Sequence, residues 1–180
     1  MENASKALIM AASVLLGLMI ISIGVTLYST FADFSRTTLE KVEETKLAEW
    51  NNQFLKYYGT VWSYDEEKKK DVQSSIKVTA HDIVTLANLA KQNNENYELS
   101  KENAGDENTY YVQVFVENQN DKFETEEESK KNKFLQDNSL NIIINDDGTK
   151  TVETKYYECT KVKISEVTKR VMYIEFKAKK

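Results

Sequence analysis

From Ala7 to Ala32 the chain carries no charged side chain, and few water-soluble folds can absorb 26 such residues in a row. The stretch ALIMAASVLLGLMIISIGVTLYSTFA exceeds the ~20 residues with which a helix crosses a ~30 Å hydrocarbon layer. Its hydroxyls (Ser13, Ser22, Thr26, Ser29 and Thr30) are tolerable there, because a helical hydroxyl bonds back to the preceding turn. A buried core helix rarely runs this long without a charge, so residues 7–32 read as a transmembrane helix behind a short tail, residues 1–6. A cleaved signal peptide is the competing reading, since Thr30-Phe31-Ala32 sets small residues where a cut before Asp33 needs them. The apolar run is far longer than the usual ~7–15 residues of such a peptide, and Met1-Glu2-Asn3-Ala4-Ser5-Lys6 is barely positive. An uncleaved anchor is expected.

Charge does not settle the orientation. Lys6 is set against Glu2 on one side, while Arg36 and Lys41 sit among Asp33, Glu40, Glu43 and Glu44 on the other. Acids count little in the positive-inside rule. Bacterial proteins with an N-terminal anchor and a polar C-terminal domain mostly place that domain outside, so an extracytoplasmic domain on a single-pass cell-membrane protein is the expectation. Within the anchor, Ser13, Gly17 and Gly24 fall within about 40° of one another on a helix turning about 100° per residue. Ser13-x-x-x-Gly17 is a small-xxx-small pair that lets two helices approach closely. These three residues are the candidate site for self-association.

Helical periodicity continues past the membrane. Leu39, Val42, Leu47, Trp50, Phe54 and Tyr57 recur at near-helical spacing, and no glycine or proline interrupts the chain from Val25 to Tyr58. Residues 33–58 therefore read as an amphipathic continuation of the same helix, stopped at Gly59. Its apolar stripe must pack on something. The stripe belongs to the core of the chain's own domain or, alternatively, to a partner helix.

Residues 59–180 read as a soluble α+β domain. Trp62–Ser75 is polar and lysine-rich and predicts a loop, followed by a short strand over Ser75–Val78. Thr79-x-x-Asp82 resembles a capping box opening a helix through Asn93, with Ile83, Val84, Ala87 and Ala90 inward. Asn93–Asn108 predicts a loop. Thr109–Asn118 alternates as a half-buried strand should, with Tyr110, Val112, Val114 and Val116 on one face. Thr125–Gln136 predicts a charged, poorly amphipathic helix. Leu140–Ile144 and Val152–Ile164 flank Asn145-Asp146-Asp147-Gly148, where Asp-Gly signals a hairpin. Val171–Ala178 closes the sheet with Met172, Ile174 and Phe176 on one face. The expected fold class is thus α+β, a long N-terminal helix packed on a small, mainly antiparallel sheet with one or two short helices.

Little in this pattern points to chemistry. With 24 Lys+Arg against 29 Asp+Glu, the net charge is −5, and residues 59–180 carry 23 acids to 19 bases. Neither part presents the basic face of a nucleic-acid binder. The single cysteine, Cys159, rules out an intrachain disulfide and a multi-cysteine zinc site. The single histidine, His81, sits near a helix start with no positioned partner beyond Asp82. Asn145–Gly148 lacks the alternating ligands and closing glutamate of a calcium loop. Glu124, Glu126, Glu127 and Glu128 precede Lys130, Lys131 and Lys133 in the i,i+4 pattern of a solvated helix. No cofactor, metal or catalytic residue is expected, and an enzyme is disfavoured.

A short N-terminus, an apolar helix running into an amphipathic one and then a small sheet domain together resemble type IV pilin-like proteins. In that family the apolar half-helix anchors the subunit and later packs in the filament core. The signature of a leader ending in Gly, followed by Phe-Thr-x-x-x-Glu, is absent here, and Glu2 is the only acid before the apolar run. The segments ENASKALIMAASVL and AEWNNQFLKYYGT also resemble small single-pass proteins of clostridial-type bacteria. The resemblance implies a structural or assembly subunit of a bacterial envelope apparatus, with the membrane and copies of itself as partners. The alternative is a single-pass extracytoplasmic sensing or adaptor domain that binds a protein or ligand.

Overall fold

The computed structural model describes residues 2–66, 69–144 and 149–179. Its first helix, α1 (Glu2–Leu55), is unbroken through the uncharged run and the sequence that follows. The hydroxyls inside it bond back as a helix requires: Thr26 donates to the Ser22 carbonyl at 2.9 Å and Thr30 to that of Thr26 at 2.9 Å. The helix stops at Leu55, and Gly59 turns the chain with φ at +133°, where a side chain would be strained.

The chain divides into two compact units, Met1–Lys46 and Leu47–Lys180. In the first, α1 is long and apolar enough to cross a membrane. Its residues from Ala7 to Ala32 are exposed, except Gly17, which is half-buried. The boundary also divides the apolar stripe of residues 33–58. Leu39 and Val42 are exposed, whereas Leu47, Trp50 and Tyr57 are half-buried and Phe54 is fully buried. Only the last turns of α1 thus enter a core.

The second unit is α+β. A four-stranded sheet has the order β3-β7-β8-β4, formed by β3 (Val78–Thr79), β7 (Tyr156–Ile164), β8 (Val171–Ala178) and β4 (Gln113–Val116). β7 pairs antiparallel with β3 and β8, and β4 adds parallel to β8. Helix α2 (Ala80–Asn96) opens with the expected capping box. Asp82 N–H donates to the Thr79 hydroxyl, and the Asp82 carboxylate accepts from Thr79 N–H at 3.0 Å. The helix buries Ile83, Leu86, Ala87 and Ala90 in one cluster with Val112, Val114, Val116, Ile174, Phe176 and Phe54. Helix α3 (Glu128–Asn138) adds Phe134, whose ring lies 5.0 Å from Phe123 and 5.9 Å from Tyr157.

Several local expectations are corrected. Within Trp62–Ser75 the structure has strands in place of the expected loop, β1 (Thr60–Asp65) paired antiparallel with β2 (Lys70–Ser75). Its β-formers Val61, Trp62, Tyr64 and Val72 outweigh the charged composition around the turn. The strand expected over Ser75–Val78 is split, because Ser75 ends β2 and only Val78 and Thr79 join the main sheet. The strand expected over Val152–Ile164 is two strands of different sheets. β6 (Lys150–Thr154) pairs with β5 (Leu140–Ile144), and the chain breaks at Lys155 before β7. There Lys155 N–H donates to the Ser139 carbonyl at 3.1 Å, and its Nζ donates to Asn138 Oδ1 at 2.7 Å. The turn expected at Asn145–Gly148 lies outside the described residues, although its flanking strands pair as a hairpin's would. Tyr110 is exposed and stacks on Tyr97 at 4.7 Å, and Tyr111 is buried in its stead. Helix α3 starts three residues later than expected, after a 3-10 turn at Phe123–Thr125, and it buries Lys131.

Phe54 sets the test of this architecture. Phe54→Ala should destabilise the second unit by ~3–5 kcal/mol, the usual cost of emptying a large buried site. Residues 35–180 should fold as a monomer in chemical denaturation, while residues 60–180 should be markedly less stable. Equal midpoints for the two fragments would show that α1 is not part of this core.

Candidate functional site

One polar site in the second unit lies where the end of α1 meets the turn between β7 and β8. That turn places Lys169 at φ +58° and is shaped by Ser165, whose hydroxyl accepts from Thr168 N–H at 2.9 Å and donates to the Glu107 carbonyl at 2.7 Å. Asn51 grips it from both sides. The Asn51 amide donates to the Lys169 carbonyl at 2.8 Å and accepts from Val171 N–H at 2.9 Å. Between these bonds lies Arg170, with its guanidinium 4.4 Å from the Trp50 ring, 5.0 Å from Tyr110 and 5.5 Å from Tyr97. It also donates to Tyr97 Oη at 3.2 Å and to Asn93 Oδ1 at 3.1 Å. A planar cation suits this cage because it stacks on aromatic faces and donates in its own plane at once. Lysine offers no such geometry.

A second polar cluster guards the outer edge of β4. A strand edge presents unpaired N–H groups, and here two side chains take them up. Val112 N–H donates to Asn94 Oδ1 at 2.9 Å, and Asn94 Nδ2 returns a bond to the Val112 carbonyl at 3.0 Å. Two residues on, Val114 N–H donates to Glu124 Oε2 at 2.9 Å, and the Tyr111 hydroxyl donates to Glu124 Oε1 at 2.7 Å. Glu124 is fully buried, and burial pushes its carboxyl above the ordinary carboxylate range against the pull of those two bonds. Lys131, equally buried, donates to the Glu124 carbonyl at 3.0 Å and to Asn88 Oδ1 at 2.9 Å, and burial holds its ammonium below the usual lysine range. Beside this cluster opens a pocket of about 290 Å³ lined by Lys91, Asn94, Leu99, Lys101, Tyr111 and Glu124 among others. Both oxygens of Glu124 are already engaged, so the charged groups that the pocket presents are Lys91, Lys101 and Glu95.

The residues singled out in the sequence fall elsewhere. Ser13, Gly17 and Gly24 lie on α1 in the first unit. Ser13 donates to the Met10 carbonyl at 2.9 Å, and a methyl group added at Gly17 or Gly24 meets nothing within 4 Å. His81 is exposed at the start of α2. Its neighbour Asp82 is occupied with the cap and accepts from the Tyr57 hydroxyl at 3.0 Å. Burial raises Asp82, but the bonds from Thr79 and Tyr57 outweigh it and hold the carboxyl low. Cys159 is buried, and burial pushes its thiol up to about 11, the opposite of an activated nucleophile. Among the described residues no group of His, Cys, Asp or Glu side chains is placed to hold a metal ion. Asn51, Asn94, Glu124 and Arg170 were not foreseen. Arg170 alone left a trace, being one of two arginines in a chain that otherwise uses lysine.

No family model matches the chain, and no curated protein or solved structure matches it.

Glu124 gives the site a pH signature. Because its folded value is raised, ionisation costs the folded state. That cost is absent below the ordinary carboxyl value of 4.5, grows as pH rises through it and is complete above the folded value. Asp82, Glu126 and Glu175 are held low and act oppositely, adding stability above their unfolded values that is lost as pH falls. The melting temperature of Glu124→Gln minus that of wild type should therefore climb as pH rises above the ordinary carboxyl value of 4.5. A difference that stays flat would contradict the buried, ionising carboxylate.

Proposed function

We propose that the chain is a single-pass, membrane-anchored structural or assembly subunit of a bacterial envelope apparatus, similar in plan to type IV pilin-like proteins, with its α+β head outside the cytoplasm. The observation that carries this role is the composition of α1. One helix holds an uncharged run of 26 residues, and its last turns supply Trp50 and Phe54 to the core of the head. Apolar side chains left exposed along such a run require lipid or neighbouring helices around them, at ~25 cal/mol per Å² withdrawn from water. In a subunit that assembles, the small residues of the helix are where neighbours approach.

The alternative role, an extracytoplasmic sensing or adaptor domain, draws its support from the pocket beside Glu124 and Lys101. That role requires one anchor and no contact between anchors.

The helix face discriminates. With Cys159→Ala and a cysteine at Met10, one turn from Ser13 on the same face, oxidation in native membranes should give cross-linked dimers. Gly17→Ile should lower their yield by about tenfold, since a branched side chain separates helices that small residues let touch. Insertion should be unchanged, because isoleucine is at least as apolar. A chain that shows no cross-linking even without the Gly17 change would remove the assembly role and favour the sensing one.

A further inference from the structure

Standing upright, α1 is too long for the layer it crosses. Its uncharged run of 26 residues measures ~39 Å at ~1.5 Å per residue, against a hydrocarbon layer of ~30 Å. The two sides of the helix show where the surplus goes. At about 100° per residue, Leu27, Tyr28, Phe34 and Leu39 lie within about 80° of Phe31. All five side chains are more than half exposed. Ser29, Asp33, Arg36 and Glu40 lie within about 40° of the opposite point. Within about 60° of Phe31 the first charge after the run is Lys46, whereas on the far side it is Asp33.

The offset reverses at the other end of the helix. Glu2 and Lys6 lie within about 20° of Phe31, while Ala4, Ala7 and Leu8 fall on the far half. The two ion pairs that flank the run follow the same rule. Lys6–Glu2, at 3.1 Å, is on the Phe31 side at the start, and Arg36–Glu40, at 3.6 Å, is on the far side at the end. An apolar band that starts and ends late on one side, and early on the other, belongs to a helix crossing a layer at a slant. A helix ~10 Å wide tilted by ~20–40° leaves the layer ~4–8 Å later on its underside. Lipid is the occupant this geometry selects, because the rings continue the surface of the span without a break. Rings on one side and charge on the other also characterise helices seated where headgroups meet acyl chains.

We propose that α1 crosses the membrane tilted toward the side of Phe31, with Tyr28, Phe31 and Phe34 seated between headgroups and acyl chains at the C-terminal end of the span. The proposal rests on the membrane anchorage stated above and describes the anchor of a single chain. A copy packed on the same side, where Ser13, Gly17 and Gly24 also lie, would take the place of that lipid.

The test uses the full-length chain with Cys159→Ala, one chain per bilayer disc of phosphatidylcholine and phosphatidylglycerol, and a nitroxide on a single introduced cysteine. Depth is read from accessibility to oxygen against a water-soluble nickel chelate. The label of Phe31→Cys should lie roughly 3–4 Å deeper than that of Ser29→Cys, and Ser35→Cys deeper than Asp33→Cys by as much, although each is two residues farther along the chain. Tyr28→Ser with Phe34→Ser should remove the reversal between Asp33 and Ser35. Depths that simply follow sequence order would show an upright helix, and a reversal that survives loss of the rings would give the tilt another cause. Labels at Phe31 and Ser35 shielded from both reagents would place protein on the rings. Each of these results overturns the proposal while a Leu18→Cys label in the acyl region upholds the anchorage. A Leu18→Cys label open to the chelate would remove the anchorage and the proposal together.

Discussion

The head depends on a helix that begins outside it. α2 and the four strands bury an apolar cluster, yet that cluster includes Phe54, which comes from the final turns of α1. Those turns are held by a clamp rather than by apolar contact alone. Asn51 brackets the turn between β7 and β8, and Arg170 rises from that turn to stack on Trp50. Cation–π contacts are worth ~0.5–2 kcal/mol each, depending on how far they are desolvated. The clamp therefore matters on the scale of a domain stable by ~5–15 kcal/mol. Because the same guanidinium also touches Tyr97, Tyr110 and Asn93, the ends of α1, α2 and the β7–β8 turn are positioned by one residue.

A second constraint is the management of strand edges. β4 joins the sheet by parallel pairing with β8, which leaves its other edge open. Asn94 and Glu124 close that edge with side chains acting as backbone partners would. For Glu124 this places a carboxyl in the interior, at a desolvation cost that the bonds from Val114 and Tyr111 offset only in part. The main sheet is thus protected along β4, whereas the hairpins β1–β2 and β5–β6 keep their apolar faces uncovered.

What was legible in the sequence was local. The uncharged run, the unbroken helix, the Thr79–Asp82 capping box and the alternation of Val171–Ala178 each follow from rules spanning a turn or a strand, and each appears at its place. The α+β class followed from them. The misreadings came from composition. Charges around residues 65–71 concealed the alternation of Val61, Trp62 and Tyr64, and the apolar runs on either side of Lys155 read as one strand. The candidate sites were hidden for a different reason. Asn51 bonds a residue 120 positions away, and Asn94 and Glu124 act on backbone groups 18 and 10 positions away. Such pairings depend on the assembled fold, and an asparagine that caps a strand reads in sequence like one that makes a loop. The stripe on α1 was read correctly in kind but too far toward the N-terminus, because periodicity alone cannot say where a helix enters a core.

The last turns of α1 belong to the head's cooperative unit if Phe54 and the Asn51–Arg170 clamp hold them there. Native-state amide hydrogen exchange on the full-length chain in detergent micelles measures this directly. Residues 47–55 should exchange only through global unfolding, with the same opening free energy as Val171–Ala178. Exchange of residues 47–55 through a lower-energy local opening, while Val171–Ala178 stays protected, would contradict it.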